Sequence, residues 1–245
     1  IQRALLPSAL PKSDRVHFAW TFQPSAMLAG DHLNIFSLDE RHVGLYVLDV
    51  SGHGVPAALL AVTVSRFLSP TADVSFLKTP AAAGQPRRFA RPSEVVKRLN
   101  HQLANEHTHQ FITLFYGILD LDTLEILYTI AGHPGPIITS VSAPTRTLDA
   151  PGFPVGMFED AQFDDAVTTL RPGERFWLYS DGLSEATSPS GEMFGINRLS
   201  AELHALSATP LTEGVKTLWQ RVKSWTEGES PQDDVSVVAL EIDGS

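Results

Sequence analysis

The sequence predicts an α+β domain, because apolar runs of strand length come in consecutive groups and the helical stretches fall between those groups rather than after every strand. Composition agrees with a packed fold. Of 245 residues, 43% are hydrophobic and 19% charged, unlike the apolar-poor, highly charged composition of disordered chains. That length is within reach of one domain with a sizeable core, and no internal repeat interrupts it.

Pro7 and Pro11 limit residues 1–12 to a short helical tail, expected to be the end of an upstream linker, with the domain itself at 13–245. Residues 16–22 and 43–50 are apolar runs of strand length. After the Gly-rich stretch 51–54, the Ala- and Leu-rich residues 55–68 predict a buried helix, with Pro56 at a tolerated first-turn position. Residues 69–92 contain an alanine triplet, several prolines and Arg87, Arg88 and Arg91, the composition of a mobile insertion whose basic residues are solvated. Helix is expected to resume with Ser93 as N-cap, placing Val95, Val96, Leu99 and Leu103 on one face. Residues 111–119 and 124–130 read as a hairpin, 132–136 as a turn into Ile137 and Ile138, and 163–170, 175–180 and 235–242 as further strands. Helices are expected at 197–206 and 211–225.

Charge narrows the function. Eighteen Lys and Arg against 28 Asp and Glu give a net charge of −10, which repels a phosphate backbone and argues against nucleic acid as partner. There are no cysteines, so disulfides, thiolate metal sites and a cysteine nucleophile are excluded, and a cytoplasmic location is expected. No apolar run approaches the roughly 18 residues of a membrane span and no secretory signal opens the chain, so no membrane association is expected. The first residue is Ile1 rather than methionine, which predicts an upstream region.

Aspartates recur where strands end in small residues. Asp49 lies in Leu48-Asp49-Val50-Ser51-Gly52-His53-Gly54, Asp181 in Tyr179-Ser180-Asp181-Gly182, and Asp233 and Asp234 precede the last strand. Any one of them alone reads as a turn residue or helix N-cap. Together they suggest an oxygen-donor site for Mg²⁺ or Mn²⁺. Two such ions roughly 3.5–4 Å apart suit hydrolysis of a phosphate ester.

The ordered set of Asp49 to Leu59, Ala131-Gly132-His133-Pro134, Tyr179 to Ala186 and Asp233-Asp234-Val235-Ser236 resembles the SpoIIE-type branch of the metal-dependent PPM serine/threonine protein phosphatases. The likeness runs from Gln2 to Leu240, and it implies an αββα sandwich of two packed antiparallel sheets flanked by helices. It also implies that Asp31, Asp49, Asp181 and Asp233 are metal ligands, joined by the Val50 carbonyl, and that Asp49 contacts both ions. Two departures are Ala29, where the family's motif has Gly, and Asn34, where it has an acidic residue. The implied substrate is a phosphoprotein, in such families an anti-sigma-factor antagonist of bacterial partner switching. The implied upstream unit is a sensory domain or a receiver domain of the two-component response-regulator kind.

His53 is a candidate proton donor to the leaving serine oxygen, its alternative being a turn residue that braces the loop. Gly52 and Gly54 lead into a helix N-terminus, suited to orienting phosphate or equally to loop packing; His133, in a Gly/Pro turn, reads as structural. Alternation along the last strand does not choose between Asp233 and Asp234. The resemblance assigns metal to Asp233 and a loop hydrogen bond to Asp234, with Asp234→Asn expected to leave most turnover intact. The competing readings are a catalytically inactive PPM-like domain that binds a regulatory protein, and a hydrolase of small phosphate esters.

Overall fold

The apolar runs become strands because they are covered on both faces. The computed structural model describes residues 2–79, 89–105, 110–149, 152–229 and 231–244. Among them, β1 (Val16–Gln23), β10 (Val235–Ile242), β9 (Glu174–Tyr179), β6 (Ile137–Ser140) and β7 (Arg146–Thr147) form one sheet in that order. The second sheet runs β2 (His32–Ser37), β3 (His42–Val50), β4 (Ile112–Asp120), β5 (Glu125–Ala131) and β8 (Ala166–Thr169). Every neighbouring pair is antiparallel. Helices α1 (Val55–Phe67) and α2 (Pro92–Asn105) cover the outer face of the second sheet, and α4 (Ile196–Ala205) and α5 (Leu211–Trp225) that of the first. A single turn, α3 (Asp181–Ser184), follows β9. The result is the expected αββα sandwich.

Side-chain alternation sorts each central strand between two cores. In β3, Val43, Leu45 and Val47 face β10 residues Val238 and Leu240 between the sheets, whereas Tyr46, Leu48 and Val50 pack with Ala57, Leu60, Val95 and Leu99 of the helices. In β10, Val238, Leu240 and Ile242 point inward and Val235, Val237 and Ala239 toward α4 and α5. By the same alternation Asp49 continues the inward series of β3, and Ser236 and Asp234 that of β10. The inter-sheet core therefore ends in polar groups at one end of the sandwich.

Several local expectations change. β2 was not predicted: its sequence HLNIFS mixes His and Asn with apolar residues, and pairing with β3 is what makes it a strand. The strand expected at 163–170 shortens to β8, while Phe163 is buried against the α1/α2 side. Ser93 is not an N-cap, because α2 starts one residue earlier at Pro92. Its N-terminus is held instead by Asp165, whose carboxylate accepts the Ser93 N–H at 2.7 Å, the Ser93 hydroxyl at 2.9 Å and Arg91 Nε at 2.7 Å. A carboxylate distant in sequence thus satisfies orphan donors of the first turn.

Of the segment 69–92, residues 80–88, including Arg87 and Arg88, lie outside the described residues. On its described flanks Phe76 stacks on Phe67 with centroids 4.5 Å apart, and Ala90 N–H donates to the Leu77 carbonyl at 2.9 Å. Before β1, a short 3-10 turn spans Gln2–Leu5, and Leu6 and Leu10 pack against the inter-sheet core. Among the described residues no helix is long and apolar enough to cross a membrane.

Phe115 of β4 joins the two sheets: fully buried, it stacks on Tyr128 at 5.4 Å and meets Phe176 of β9 at 5.8 Å. Phe115→Ala is expected to destabilise the domain by about 3–5 kcal/mol, read from denaturant unfolding; an unchanged midpoint would show that this contact does not hold the sheets together.

Candidate metal and phosphate site

Antiparallel pairing carries the acidic residues to one end of the sandwich. His32 pairs with Leu48, so Asp31, just before β2, comes alongside Asp49 at the end of β3. Val237 pairs with Tyr179, and Ser180 N–H donates to the Ser236 carbonyl at 3.0 Å. Asp181, two residues past the end of β9, therefore stands beside Asp233 and Asp234, which immediately precede β10.

Asp234 ties the two sheets together at this end. Its Oδ1 accepts the Ser25 N–H at 2.7 Å and the Ser25 hydroxyl at 3.0 Å, and its Oδ2 accepts the Gly30 N–H at 2.7 Å and the Asp31 N–H at 3.3 Å. It is buried and fully engaged with the loop that carries Asp31. Asp233 is exposed, and one of its oxygens accepts the Asp234 N–H at 2.7 Å.

Two glycines permit the close approach of backbones. A Cβ on Gly30 would stand 3.0 Å from the Val50 carbonyl oxygen and 3.6 Å from Asp49 Oδ1, and one on Gly182 would stand 2.2 Å from the Asp234 carbonyl oxygen. Ala29, by contrast, stays out of the left-handed region. It is buried, with its N–H donating to Gln2 Oε1 at 3.1 Å and its carbonyl accepting from Gln2 Nε2 at 2.8 Å. Alanine is thus accommodated without a left-handed backbone where the family's motif has Gly. Asn34 belongs to the opposite face of β2 from Asp31: it pairs with Tyr46, and its Oδ1 accepts the Ile35 N–H at 2.8 Å.

Electrostatically the cluster carries unbalanced negative charge. Burial first, and then the charges of Asp181, Asp233 and Asp234, push the Asp49 pKa up to about 7. Asp31 is raised well above the ordinary value, chiefly by burial and next by Asp49, with the Ser180 and Ser236 hydroxyls pulling the other way. Asp181 is raised by burial, then by Asp233 and Glu185. Asp31 Oδ2 is buried with no hydrogen-bond partner among the described residues, and none of these aspartates joins an ion pair there.

An all-oxygen donor set with unmet acceptors and raised pKa values is relieved by a hard divalent cation. Among the described residues, however, no three acidic or imidazole side chains converge closely enough to cage an ion. Charge repulsion acts over longer distances than ligation, so both facts hold, and the fit is one of donor chemistry.

The remaining predicted residues divide. His53 is exposed on the loop into α1, between Gly52 at φ 90° and Gly54 at φ 78°. His133 is buried, its Nδ1 2.9 Å from Thr113 Oγ1. Sequence reasoning missed Ser25, Ser180 and Ser236; the last two had a signal, as small polar residues at the ends of otherwise apolar strands. A groove of about 630 Å³ lined by Phe194, Arg198, Glu202, Arg221 and Trp225 lies on the outer layer of α4 and α5 and takes no part in this cluster.

An αββα sandwich with carboxylates gathered at one end of its two sheets is the architecture of a PP2C-type phosphatase domain. The chain belongs to the SpoIIE family: the profile described as Stage II sporulation protein E (SpoIIE) matches residues 39–243. That span includes Asp49, Asp181 and Asp233 but not Asp31.

Protein IcfG of Synechocystis sp. is 28% identical over 255 residues, covering 98% of this chain and 40% of that protein. Phosphoserine phosphatase RsbP of Bacillus subtilis is 28% identical over 181 residues, covering 72% of this chain and 41% of that protein. The chain thus spans about two fifths of the length of these curated relatives. Among solved structures, the SiaA-PP2C domain of Pseudomonas aeruginosa superposes with a TM-score of 0.76 at 17% identity, over 92% of this chain and 86% of that one. At that identity the likeness is one of fold.

Two predictions follow from the cluster. The expectation that Asp234→Asn is tolerated meets the geometry above, since an amide offers one acceptor oxygen where four donors now converge. Two buried N–H groups would lose their acceptor, at about 1–3 kcal/mol. Asp234→Asn should therefore lower the thermal midpoint of the metal-free protein while Asp233→Asn leaves it unchanged; equal midpoints would contradict the clamp.

The second concerns pH. The folded pKa of Asp49, about 7, exceeds its ordinary 3.8, so the folded chain holds a proton that the unfolded chain releases. Its stabilising contribution is complete below about pH 4 and lost as pH rises through about 7; Asp31 and Asp181 act in the same direction. Buried His32 and His133, lowered by burial to about 4 and about 3, act oppositely, losing stability as pH falls below 6.5. Comparison with Asp49→Asn isolates the carboxylate. Without divalent cations, the midpoint of the wild type relative to this variant should fall between about pH 4 and about pH 7; a flat difference would show that Asp49 does not titrate there.

Proposed function

We propose that this domain is a metal-dependent serine/threonine protein phosphatase that hydrolyses phosphoserine or phosphothreonine monoesters. The observation that carries this reading is the surplus of negative charge around Asp31 and Asp49, held by backbone pairing at an end of the sandwich open to solvent. Asp31, Asp49, the Val50 carbonyl, Asp181 and Asp233 are the residues proposed to hold Mn²⁺ or Mg²⁺, two ions in all, with Asp49 shared between them. Bound, such ions supply Lewis acidity at a phosphoryl oxygen and lower the pKa of water.

The chain's own groups do the rest. Asp234 holds the loop of Gly30 and Asp31 against β10, so the acidic residues of both sheets keep one register. Gly30 lets that loop approach the Val50 carbonyl. The Gly52–Gly54 turn leads into the N-terminus of α1, whose free N–H groups favour an anion. His53, exposed on that turn, is the proposed donor of a proton to the leaving serine or threonine oxygen.

A protein substrate suits the surroundings. Asp233 is exposed, and the two segments adjoining Asp31 and Asp49 present Met27 at 97%, Val55 at 56% and Leu59 at 62% exposure, an apolar surface that a small phosphate ester does not need. The substrate proposed is a phosphorylated anti-sigma-factor antagonist in a bacterial partner-switching pathway. The proposed setting is the cytoplasm, with residues 1–12 ending a linker from an upstream sensory or receiver domain and residues 69–92 inserted in the phosphatase domain.

The test is phosphate release by the purified domain from a phosphorylated antagonist protein and from free phosphoserine, with and without Mn²⁺. Mn²⁺-dependent release from the protein, lowered by orders of magnitude in Asp49→Asn while the variant stays folded, is the expected result. Binding of the phosphoprotein without any release would point to an inactive binding domain, equal turnover of free phosphoserine to a small-ester hydrolase, and near-normal turnover by Asp49→Asn would remove the shared-metal assignment.

A further inference from the structure

His133 lies outside the proposed ligand set, yet it is built into the layer that carries that set. It is 6% exposed, and its Nε2 is buried without a hydrogen-bond partner among the described residues. Burying an imidazole with one nitrogen unmet is unfavourable, and an apolar residue would fill the space without that cost. The other nitrogen, Nδ1, lies 2.9 Å from Thr113 Oγ1. Thr113 is the cross-strand partner of Asp49 in the β3–β4 register. Past the turn, β6 pairs Ile137 with Trp177 of β9, so the turn that carries His133 lies beside the end of β9. Tyr179 is the last residue of β9, two before Asp181. The ring therefore meets β4 of one sheet from a turn that leads directly into β6 of the other, at the level of the acidic residues.

The turn that delivers the ring is fixed as well. Gly132 has φ 66°, and a Cβ there would stand 2.6 Å from Pro154 Cγ. Only glycine fits both the conformation and the space, so the direction in which His133 leaves β5 is set by packing rather than by the ring itself.

We infer that His133 is a positioning residue for the carboxylate cluster: bonded to Thr113 from the turn that enters β6 beside β9, it holds the end of β3 that bears Asp49 in register with the end of β9 that precedes Asp181. This rests on the metal-dependent reading above. Residues that orient ligands from behind change metal affinity by about 10–100-fold when removed, whereas a histidine that merely fills a turn changes stability alone.

The experiment measures Mn²⁺ dissociation constants by calorimetry, well below each protein's thermal midpoint, for the wild type, Thr113→Val, His133→Ala, the double variant and His133→Asn. Thr113→Val keeps the shape of the threonine and removes its hydroxyl. His133→Asn places an amide near the position of Nδ1. Thr113→Val and His133→Ala should each weaken Mn²⁺ binding by about 10-fold or more. The double variant should bind no worse than His133→Ala, because both changes remove one interaction, and His133→Asn should stay close to the wild type.

Wild-type affinity in Thr113→Val, or a His133→Asn variant as weak as His133→Ala, overturns the inference even where midpoints fall. If His133→Ala does not fold, Thr113→Val and His133→Asn still decide. A wild-type protein that binds no Mn²⁺ overturns the metal-dependent reading and this inference with it, whereas wild-type binding that persists undiminished in Thr113→Val overturns the inference alone.

Discussion

Negative charge crowded where the two sheets end is the constraint to which the surrounding structure answers. Asp31, Asp49 and Asp181 are each pushed toward protonation, first by burial and then by one another or by Asp233. A fold does not retain such an arrangement for stability, since like charges in a poorly solvated place oppose folding. It persists because the strands that carry these residues are anchored elsewhere. β3 and β10 run the length of the sandwich with apolar side chains on both faces, and the acidic residues occupy only their ends.

Asp234 shows how a carboxylate in the same cluster serves the opposite purpose. Four donors from Ser25, Gly30 and Asp31 converge on it, so its charge is answered by N–H and O–H dipoles. Hydrogen bonds to an ionised acceptor are among the stronger ones available. These hold the β1–β2 loop, the single covalent link from the first strand of one sheet to the first strand of the other, against β10. Gly30 and Gly182 contribute by leaving out atoms: each admits a carbonyl to a place that a side chain would fill. The site is thus a matter of backbone geometry before it is a matter of ligands.

The surfaces near this end fit its proposed use. The two segments adjoining Asp31 and Asp49 expose Met27, Val55 and Leu59, whereas a groove lined by Arg198, Glu202 and Arg221 lies on the far helical layer and has its own ion pairs. An open, partly apolar rim beside half-buried carboxylates suits a phosphate presented on a protein better than one enclosed as a small molecule.

Much of the fold was legible in the sequence for a definite reason. A strand covered on both faces has to be apolar throughout, so β3 and β10 announce themselves without alternation, and α5 shows its buried stripe at Leu211, Val215, Leu218 and Val222. The placing of Asp49, Asp181 and Asp233 at strand ends is likewise a linear property, and the ordered motifs around them were enough to suggest the family. Three things required the tertiary structure. β2 is a strand because β3 offers it a register, not because HLNIFS demands one. The first turn of α2 is held by Asp165, some seventy residues away along the chain, which no local capping rule detects. Asp233 and Asp234 are indistinguishable by alternation in a strand buried on both sides; the resemblance told them apart, but the physical reason appears only in the folded chain, which brings Ser25 and Gly30 to Asp234 and leaves Asp233 exposed. Sequence determines what each residue is able to offer; which offer is taken up depends on which distant backbone arrives beside it.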